Sequence, residues 1–422
     1  MPYRGFNMNV LFLTQILPYP PNAGPRVKTW HVLRHLVNRG FQITLVTFIR
    51  PEEEEFLDEV HKTVHRVIHV PIQRSRIKDA GYFAQSIFTG KPFLVARDNL
   101  ISMRKTIHDL CTHQDFDILH ADQLTMAQFA WQARQIQIQK GSSAPKTIFD
   151  AHNATWSIMG RMRTQVPTFL RPLVVFEQAR IKKYEGWLLR NFDLTLAVTE
   201  IDRNALLETV ANDAAIKHKI TTIPIAVDTQ QLTPIAEKPG ASQILTLGTL
   251  HYPPNADGIR WFLREVYPRI LQQVPGAFLT VIGKNPPKDF YEMAQLYPNL
   301  VNITGYVADL TPYLENCAVM VVPVLAGGGM RVRILEAFSR QMAVVTTTIG
   351  LEGIDAKHGE HVLIADDPLS FAGHVARLLE DQPYRAALAK NGRLFVENQY
   401  DWQVVFKHLD QAYTIGNGNN VT

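Results

Sequence analysis

The stretch that most constrains this chain runs from Ala318 to Gly353, AVMVVPVLAGGGMRVRILEAFSRQMAVVTTTIGLEG. Val319 to Val322 is a short apolar, β-branched run of the kind that becomes a fully buried parallel strand. Pro323 turns the chain into Gly327-Gly328-Gly329, after which Met330, Ile334, Ala337 and Phe338 fall on one face of a helix. A second buried strand is expected from Ala343 to Thr347. Three glycines where a loop meets a helix let backbone N–H groups approach a ligand, and the helix N-terminus favours an anion. Arg331 and Arg333 put two permanent cations in the expected first turn, where the macrodipole disfavours them; local rule-breaking of this kind marks functional sites. Glu336 follows three residues after Arg333. An anionic ligand bearing a sugar hydroxyl accounts for all three residues. So, separately, do a flexible triglycine turn and an i,i+3 ion pair worth roughly 0.2–0.5 kcal/mol.

The rest of the chain repeats this strand–helix alternation. Its 422 residues suggest two domains of near 200. A net charge of +4 is too small to argue for nucleic acid. Cys111 and Cys317 form neither a metal-ligand spacing nor a disulfide framework, which makes a reducing cytoplasm the expectation. No apolar run approaches the ~18–20 residues of a spanning helix. The start reads as a first strand, Val10 to Thr14, rather than as a signal peptide.

In the first half, the strand from Asn9 to Thr14 leads through PYPPNAGP into a helix from near Arg26 to Gly40. Val27, Trp30, Val32, Leu33, Leu36 and Val37 give that helix its buried side. Gly24 at the junction is either turn chemistry or the glycine of a ligand-facing loop. Arg26 and Lys28 are either rim charges or solvated ones. Strand-like runs recur at Gln42–Phe48, Val67–Pro71, Asp117–His120, Thr147–Asp150, Leu194–Val198 and Ile220–Pro224. Helical stretches are expected near 97–113, 123–138, 172–190 and 201–211. Parallel pairing through right-handed crossovers follows, with ligands beyond the carboxyl ends of the strands. Two of those ends carry histidine-bearing turns, ILHADQ (His120, Asp122) and FDAHNAT (Asp150, His152, Asn153); a third carries Thr199-Glu200, where helix capping is a sufficient role. The segment 160–191 mixes Arg161, Arg163, Arg171, Arg180, Lys182, Lys183 and Arg190 with Phe169, Leu170, Leu173, Val174, Val175 and Phe176. It reads as a sheet-covering helix with a basic face or as a segment lying on an anionic membrane.

The polar, proline-broken stretch VDTQQLTPIAEKPGAS sets the boundary: a first domain over 1–228, a linker over 229–242 and a second domain over 243–397. A terminal amphipathic helix with its tail covers 398–422. In the second half, strands are expected at Ile244–Leu247, Phe278–Ile282, Val301–Thr304 and His361–Ile364, with a helix starting near Asn255–Asp257 and helical chain from about 368 to 397. The fold class is therefore α/β, with two Rossmann-like, doubly wound domains facing a cleft.

GGGMRVRILEAFSRQMAVVTTTIGLEG resembles the donor-binding segment of GT-B glycosyltransferases of family 4, and TLGTLHYPPNADGIRWF resembles one subgroup of that family. The resemblance extends over essentially the whole chain and implies a retaining, metal-independent sugar transferase. It implies a terminal helix crossing back to the first domain. It places the donor diphosphate at Arg331, Arg333 and the amides of Gly327, Gly328 and Gly329 beside Met330, with Gly248 at the first turn, Gly283 and Lys284 near the nucleoside, and Glu336 on the ribose. The family's Glu-x7-Glu pair is incomplete, because its first glutamate falls at Gly328. The Arg and Lys found elsewhere in the family after the first strand are replaced by Thr249, Leu250 and His251.

On the first domain the resemblance picks out Asp122, His152 and Asn153 at the acceptor or the transferred sugar, with His120 packed behind and Gly24 and Arg26 on an acceptor-side loop. No Asp-x-Asp pair stands in a loop placed to hold a divalent cation against the diphosphate, so neither metal nor cofactor is expected beyond the nucleotide-sugar donor. The expected partners are that donor and a glycan or lipid-linked acceptor, at the inner face of a membrane or free in the cytoplasm. A GT-B nucleotide-sugar epimerase and a non-catalytic nucleotide-sugar-binding protein fit the same features. A dinucleotide-dependent dehydrogenase fits less well, because no G-x-G-x-x-G follows the first strand.

Overall fold

The computed structural model describes residues 8–21, 24–163, 166–236 and 242–414. The chain start up to residue 7, linker residues 237–241 and the tail from 415 lie outside the described residues. Two compact units result: Met1–Ala226 together with Val405–Thr422, and Val227–Val404.

Among the described residues, the first unit holds a seven-stranded sheet. Its strands are β1 (Asn9–Thr14), β2 (Gln42–Ile49), β3 (Arg66–Pro71), β4 (Ile118–Asp122), β5 (Lys146–Ala151), β6 (Leu194–Ala197) and β7 (Ile220–Thr222). The order is 3-2-1-4-5-6-7 and every pairing is parallel. β1 is buried from Val10 through Thr14, which is why it reads as an unbroken apolar run: helices cover both faces of a parallel sheet. The order reverses between β1 and β4, the point where such sheets open to a ligand. Register there sets Thr14 beside Asp122 and Asp122 beside Asp150.

The second unit holds a six-stranded parallel sheet in the order 10-9-8-11-12-13. It comprises β8 (Gln243–Leu247), β9 (Phe278–Ile282), β10 (Val301–Gly305), β11 (Cys317–Val322), β12 (Val344–Thr346) and β13 (Leu363–Ile364). Its reversal lies between β8 and β11, so the turn after Leu247 and the triglycine turn are neighbours. Each unit has its own apolar core, one including Phe129, Phe149 and Phe192, the other Phe262, Tyr267, Phe290 and Phe371. The α/β, doubly wound class expected from the sequence is the fold observed.

Several elements differ in detail. The helix expected over 97–113 is two helices, Phe93–Asp98 and Ile101–His113. Helical chain from 368 likewise breaks, into Pro368–Glu380 and Gln382–Gln399, because Asp381 ends one helix and caps the next through the Tyr384 N–H at 2.9 Å. In the second unit a helix starts at Pro253 and passes through a π-turn, Phe262–Val266, into Tyr267–Gln273. Pro268 has no N–H to return to the preceding turn, which accounts for the widened turn. The helices Arg76–Thr89 and Thr155–Met162 were not expected. From Val405 onward the helix Trp402–Tyr413 packs in the first unit, where Asp410 accepts from His35 Nε2 and Arg39 Nε at 2.7 and 2.9 Å.

Candidate functional site

Two polar constellations stand at strand ends, one in each unit. In the second unit, the site is built on close backbone approach. A side chain at Gly283 would come within 1.8 Å of the Gly248 carbonyl oxygen, and one at Gly248 within 2.6 Å of the Arg333 guanidinium. Gly283 therefore excludes any larger residue, and a side chain at Gly248 would displace the Arg333 guanidinium that lies there. Arg333 donates to the Leu247 carbonyl and to Asn255 Oδ1, each at 2.9 Å. Its Nε is buried and meets no acceptor among the described residues.

The expected first helical turn starts one residue late. The helix spans Val332–Ser339, and Arg331 stands just before it with φ −91°. Its guanidinium turns back onto the triglycine loop, donating to the Gly328 carbonyl at 2.8 Å and to that of Gly329. Gly327 and Gly329 have φ of +101° and +87°, conformations that favour glycine. Among the described residues, the N–H groups of Gly328 and Gly329 donate to no protein acceptor. Burial, aided by Arg331, lowers the Arg333 pKa to about 10, and burial raises that of Glu336 despite nearby Arg340 and Arg333. Arg333 does not serve as a simple surface partner for Glu336: it reaches across to the strand end. Met330 is buried. Lys284 is exposed, its ammonium 4.7 Å from the centre of the Tyr306 ring.

The first unit gathers a different set. Asp122 is fully buried and accepts from Thr14 Oγ1 at 3.0 Å, from Thr29 Oγ1 at 3.1 Å and from His152 Nε2 at 2.7 Å. Burial alone would raise its carboxyl, but His152, with His120 and Lys28, holds it below the usual range. Lys28, itself fully buried, donates to Asp150. His120 lies between the rings of Phe12, at 4.1 Å, and Tyr413, at 6.0 Å; the Tyr413 hydroxyl is 2.6 Å from its Nδ1. Its pKa is lowered to about 4, chiefly by burial, so His120 is neutral at physiological pH. His120, Asp122 and Asp150 offer atoms within 4.8 Å of one another, a spacing that suits a metal, yet the Lys28 ammonium already supplies the cation there.

The turn carrying His152 is pinned from behind. Asp202 accepts the Ala154 N–H at 2.9 Å, and Glu185 accepts those of Thr155 and Trp156 at 2.7 and 3.1 Å. Asn153 is half-buried in the same turn. Thr199 caps the helix Glu200–Glu208 through the Asp202 N–H at 3.0 Å, the role its position suggested. The structure thus brings His152 and Asp122 together and puts His120 behind them. Gly24 begins the helix Gly24–Asn38, and Arg26 is paired with Glu53. Sequence reasoning missed Lys28, Thr14 and Thr29 as members of the cluster. The available signal was helical period: Lys28 and Thr29 precede Val32 and Leu33 by four residues and share their buried face.

Known proteins bear on both halves. A model described as Glycosyltransferase Family 4 matches residues 24–231, and one described as Glycosyl transferases group 1 matches residues 241–381. An uncharacterized 44.6 kDa protein in the cps region of Klebsiella pneumoniae is 23% identical over 415 residues, covering 95% of this chain and 98% of that one. The capsular polysaccharide biosynthesis glycosyltransferase CapM of Staphylococcus aureus is 30% identical over 118 residues, 28% of this chain and 30% of its own. Among solved structures, Anabaena HepE with UDP and glucose superposes with a TM-score of 0.62 at 14% identity, covering 96% of this chain and 99% of that one. The lipopolysaccharide glycosyltransferase WaaG does so with a TM-score of 0.65 at 13% identity, covering 96% and 100%. Matched by these models through both sheets, and sharing the GT-B fold of such solved enzymes, the chain belongs to the family 4, or group 1, glycosyltransferases.

Proposed function

We propose that the protein transfers a sugar from a nucleotide-diphosphate sugar to a hydroxyl of a glycan or lipid-linked acceptor, with retention of anomeric configuration and without a metal ion. The single observation that carries this is the seat of Arg333: a glycine, Gly248, where a side chain would meet its guanidinium, an unpartnered buried Nε, and Arg331 beside it on a turn with orphan amides. Paired, partly desolvated cations with free donors form an electrostatic vacancy that a diphosphate fills, and fixed donors of this kind stabilise the negative charge that develops on a departing nucleotide. Glu336 is assigned to the ribose, with Gly283 and Lys284 toward the nucleoside. Solved HepE structures contain UDP and UDP-glucose, which favours a uridine donor here.

In the first unit His152 and Asp122 act on the transferred sugar. With Nε2 donating to Asp122, the ring keeps Nδ1 for a sugar hydroxyl or for the charge that develops at the anomeric carbon. The acceptor attacks from the face the nucleotide leaves, and a phosphate oxygen takes its proton, so no protein nucleophile is needed. Metal independence is supported by where the Asp115–Asp117 pair lies. Asp115 meets Lys140 at 2.7 Å and Asp117 accepts the Asn9 N–H at 2.7 Å, both at the amino ends of the strands, away from His152. The likeness to CapM, a capsular polysaccharide biosynthesis glycosyltransferase, supports a polysaccharide-building role. A lipid-linked acceptor would hold the chain at the inner face of a membrane.

Incubation with UDP-, GDP- and ADP-sugars, read by thermal shift and then by nucleotide release, tests this. Acceptor-dependent release is expected. Acceptor-free isomerisation would make it an epimerase. Binding without turnover would make it a nucleotide-sugar-binding protein, the reading that Gly328 in place of the family's first glutamate favours.

A further inference from the structure

Away from both sites, the first unit has a second basic hollow of about 600 Å³, between the helices Ile101–His113 and Ala127–Gln139. Lys91, Arg104, Lys105 and His108 line it, and no carboxylate does. Among the described residues, Lys91, Arg104 and Lys105 enter no ion pair, while His108 lies 3.6 Å from exposed Asp109. Burial, and secondarily the nearby Arg104 cation, lowers the Lys91 pKa. Such a cluster is an anion site.

The hollow's surroundings say which anion. Its rim carries Ile101, which is 75% exposed, and three residues before Lys91 stands Phe88, 91% exposed, in the last turn of the helix Arg76–Thr89. Arg180 ties this end to a second apolar exposure: it donates to the Ser86 and Lys91 carbonyls while lying 5.1 Å from the centre of the Phe176 ring. Phe169, seven residues before Phe176, is 79% exposed, and the helix Thr155–Met162 that precedes it buries none of its residues. A soluble phosphorylated ligand would use the cations and leave these aromatic tips without a function. A bilayer uses both, taking apolar tips below its headgroups and cations at the level of its phosphates.

We propose that this face of the first unit docks on an anionic phospholipid bilayer, with a lipid phosphate in the Lys91–Arg104–Lys105 hollow and Phe88 and Ile101 inserted beside it. Topology puts the hollow near the carboxyl ends of β1 and β4, the sheet edge that also carries His152, so docking would present that edge to lipid-borne acceptors. The docking surface stands without the donor assignment, since neither Arg331 nor Arg333 takes part in it.

The test is co-sedimentation of the full chain with vesicles of phosphatidylcholine, or of phosphatidylcholine and phosphatidylglycerol in equal amounts. Binding to the mixed vesicles alone, weakened by salt, is expected. Replacing Arg104 and Lys105 together by Gln should weaken partitioning about thirty-fold. Phe88→Ser should weaken it several-fold at every salt concentration. Both changes are at exposed positions, so an unaltered unfolding temperature checks the fold, and nucleotide-sugar binding without vesicles should match the parent. Failure of the parent to bind mixed vesicles, or equal partitioning by the Arg104/Lys105 variant, overturns the proposal. So does glycerol phosphate binding that depends on Arg104 and Lys105 with no vesicle binding, which would make the hollow a site for a free phosphate.

Discussion

The polar clusters of the two units solve opposite electrostatic problems. In the first unit's strand-end cluster the charges are answered internally: Lys28 meets Asp150, and His152, Thr14 and Thr29 converge on Asp122. In the second, Arg331 and Arg333 lie together on neutral carbonyls and one amide oxygen, and no carboxylate accepts a hydrogen bond from Arg333 among the described residues. A self-satisfied network is rigid before any ligand arrives and can fix the orientation of a reacting ring. Two cations crowded together, as Arg331 is with Arg333, are stabilised by an incoming anion. On the proposed function, placement before chemistry belongs to the first unit, and capture of charge to the second.

The sharpest way to break this contrast is His152→Ala. If the ring acts on the sugar, transfer should fall by roughly 10²–10⁴-fold, while donor affinity, which the proposal assigns to the other unit, stays at the parental value. Transfer undiminished in steady-state assays would return His152 to a packing role. Next in size is Lys28→Met. This leaves the Asp150 carboxylate buried without its cation, and breaking such a pair costs about 3–5 kcal/mol. Urea unfolding should show that loss; a change under 1 kcal/mol would mean that Asp150 takes up a proton with ease and that the first cluster is not charge-matched after all.

Smaller, and of opposite character, is Arg333→Ala. Donor affinity should drop by roughly 30–150-fold, the worth of one charge-assisted contact at about 2–3 kcal/mol. Folding stability should hardly move, because the side chain spends its hydrogen bonds on groups that water can reach once it is gone. Isothermal titration with a UDP-sugar and a melting curve on the same sample separate the two. Arg331→Ala should behave alike in direction. A variant that loses stability but not affinity would make Arg333 a structural strut.

How much of this was legible in sequence follows from which forces are local. β11 and its triglycine turn stand out because a buried parallel strand must be apolar throughout and a left-handed turn favours glycine, both of which one segment displays by itself. Asp122 and His152 were found because strand ends are identifiable and polar residues there are few. Lys28 was read as a surface charge, since nothing nearby in sequence announces Asp150, its partner 122 residues away. The helix Arg76–Thr89 went unseen for a related reason: Ile77, Ile87 and Phe88 face outward, so its apolar residues do not form the core-facing stripe by which helices are recognised. Gly248 and Gly283 could be noticed as glycines, but the approach that demands them is between two loops and Arg333, visible only in three dimensions.

The smallest effect tests whether the His152 turn is held as described. Glu185 is buried beneath it, and burial raises its pKa to about 8 even though it accepts the Trp156 and Thr155 N–H groups. In the unfolded chain a glutamate titrates near about 4.3. Below that value both states carry the proton and the difference has no effect. Between there and pH 8 the folded state keeps a proton that the unfolded state has released, so stability falls as pH rises, by up to about 1.4 kcal/mol per unit. Glu185→Gln retains a carbonyl for the two N–H groups and cannot titrate. The parent should therefore lose more stability than the variant between pH 5 and pH 8 in urea unfolding, with the lowered histidines His35 and His120 common to both and cancelling. Parallel pH profiles would show that Glu185 is ionised in the folded protein, and that the turn carrying His152 rests on a charged cap rather than a neutral one.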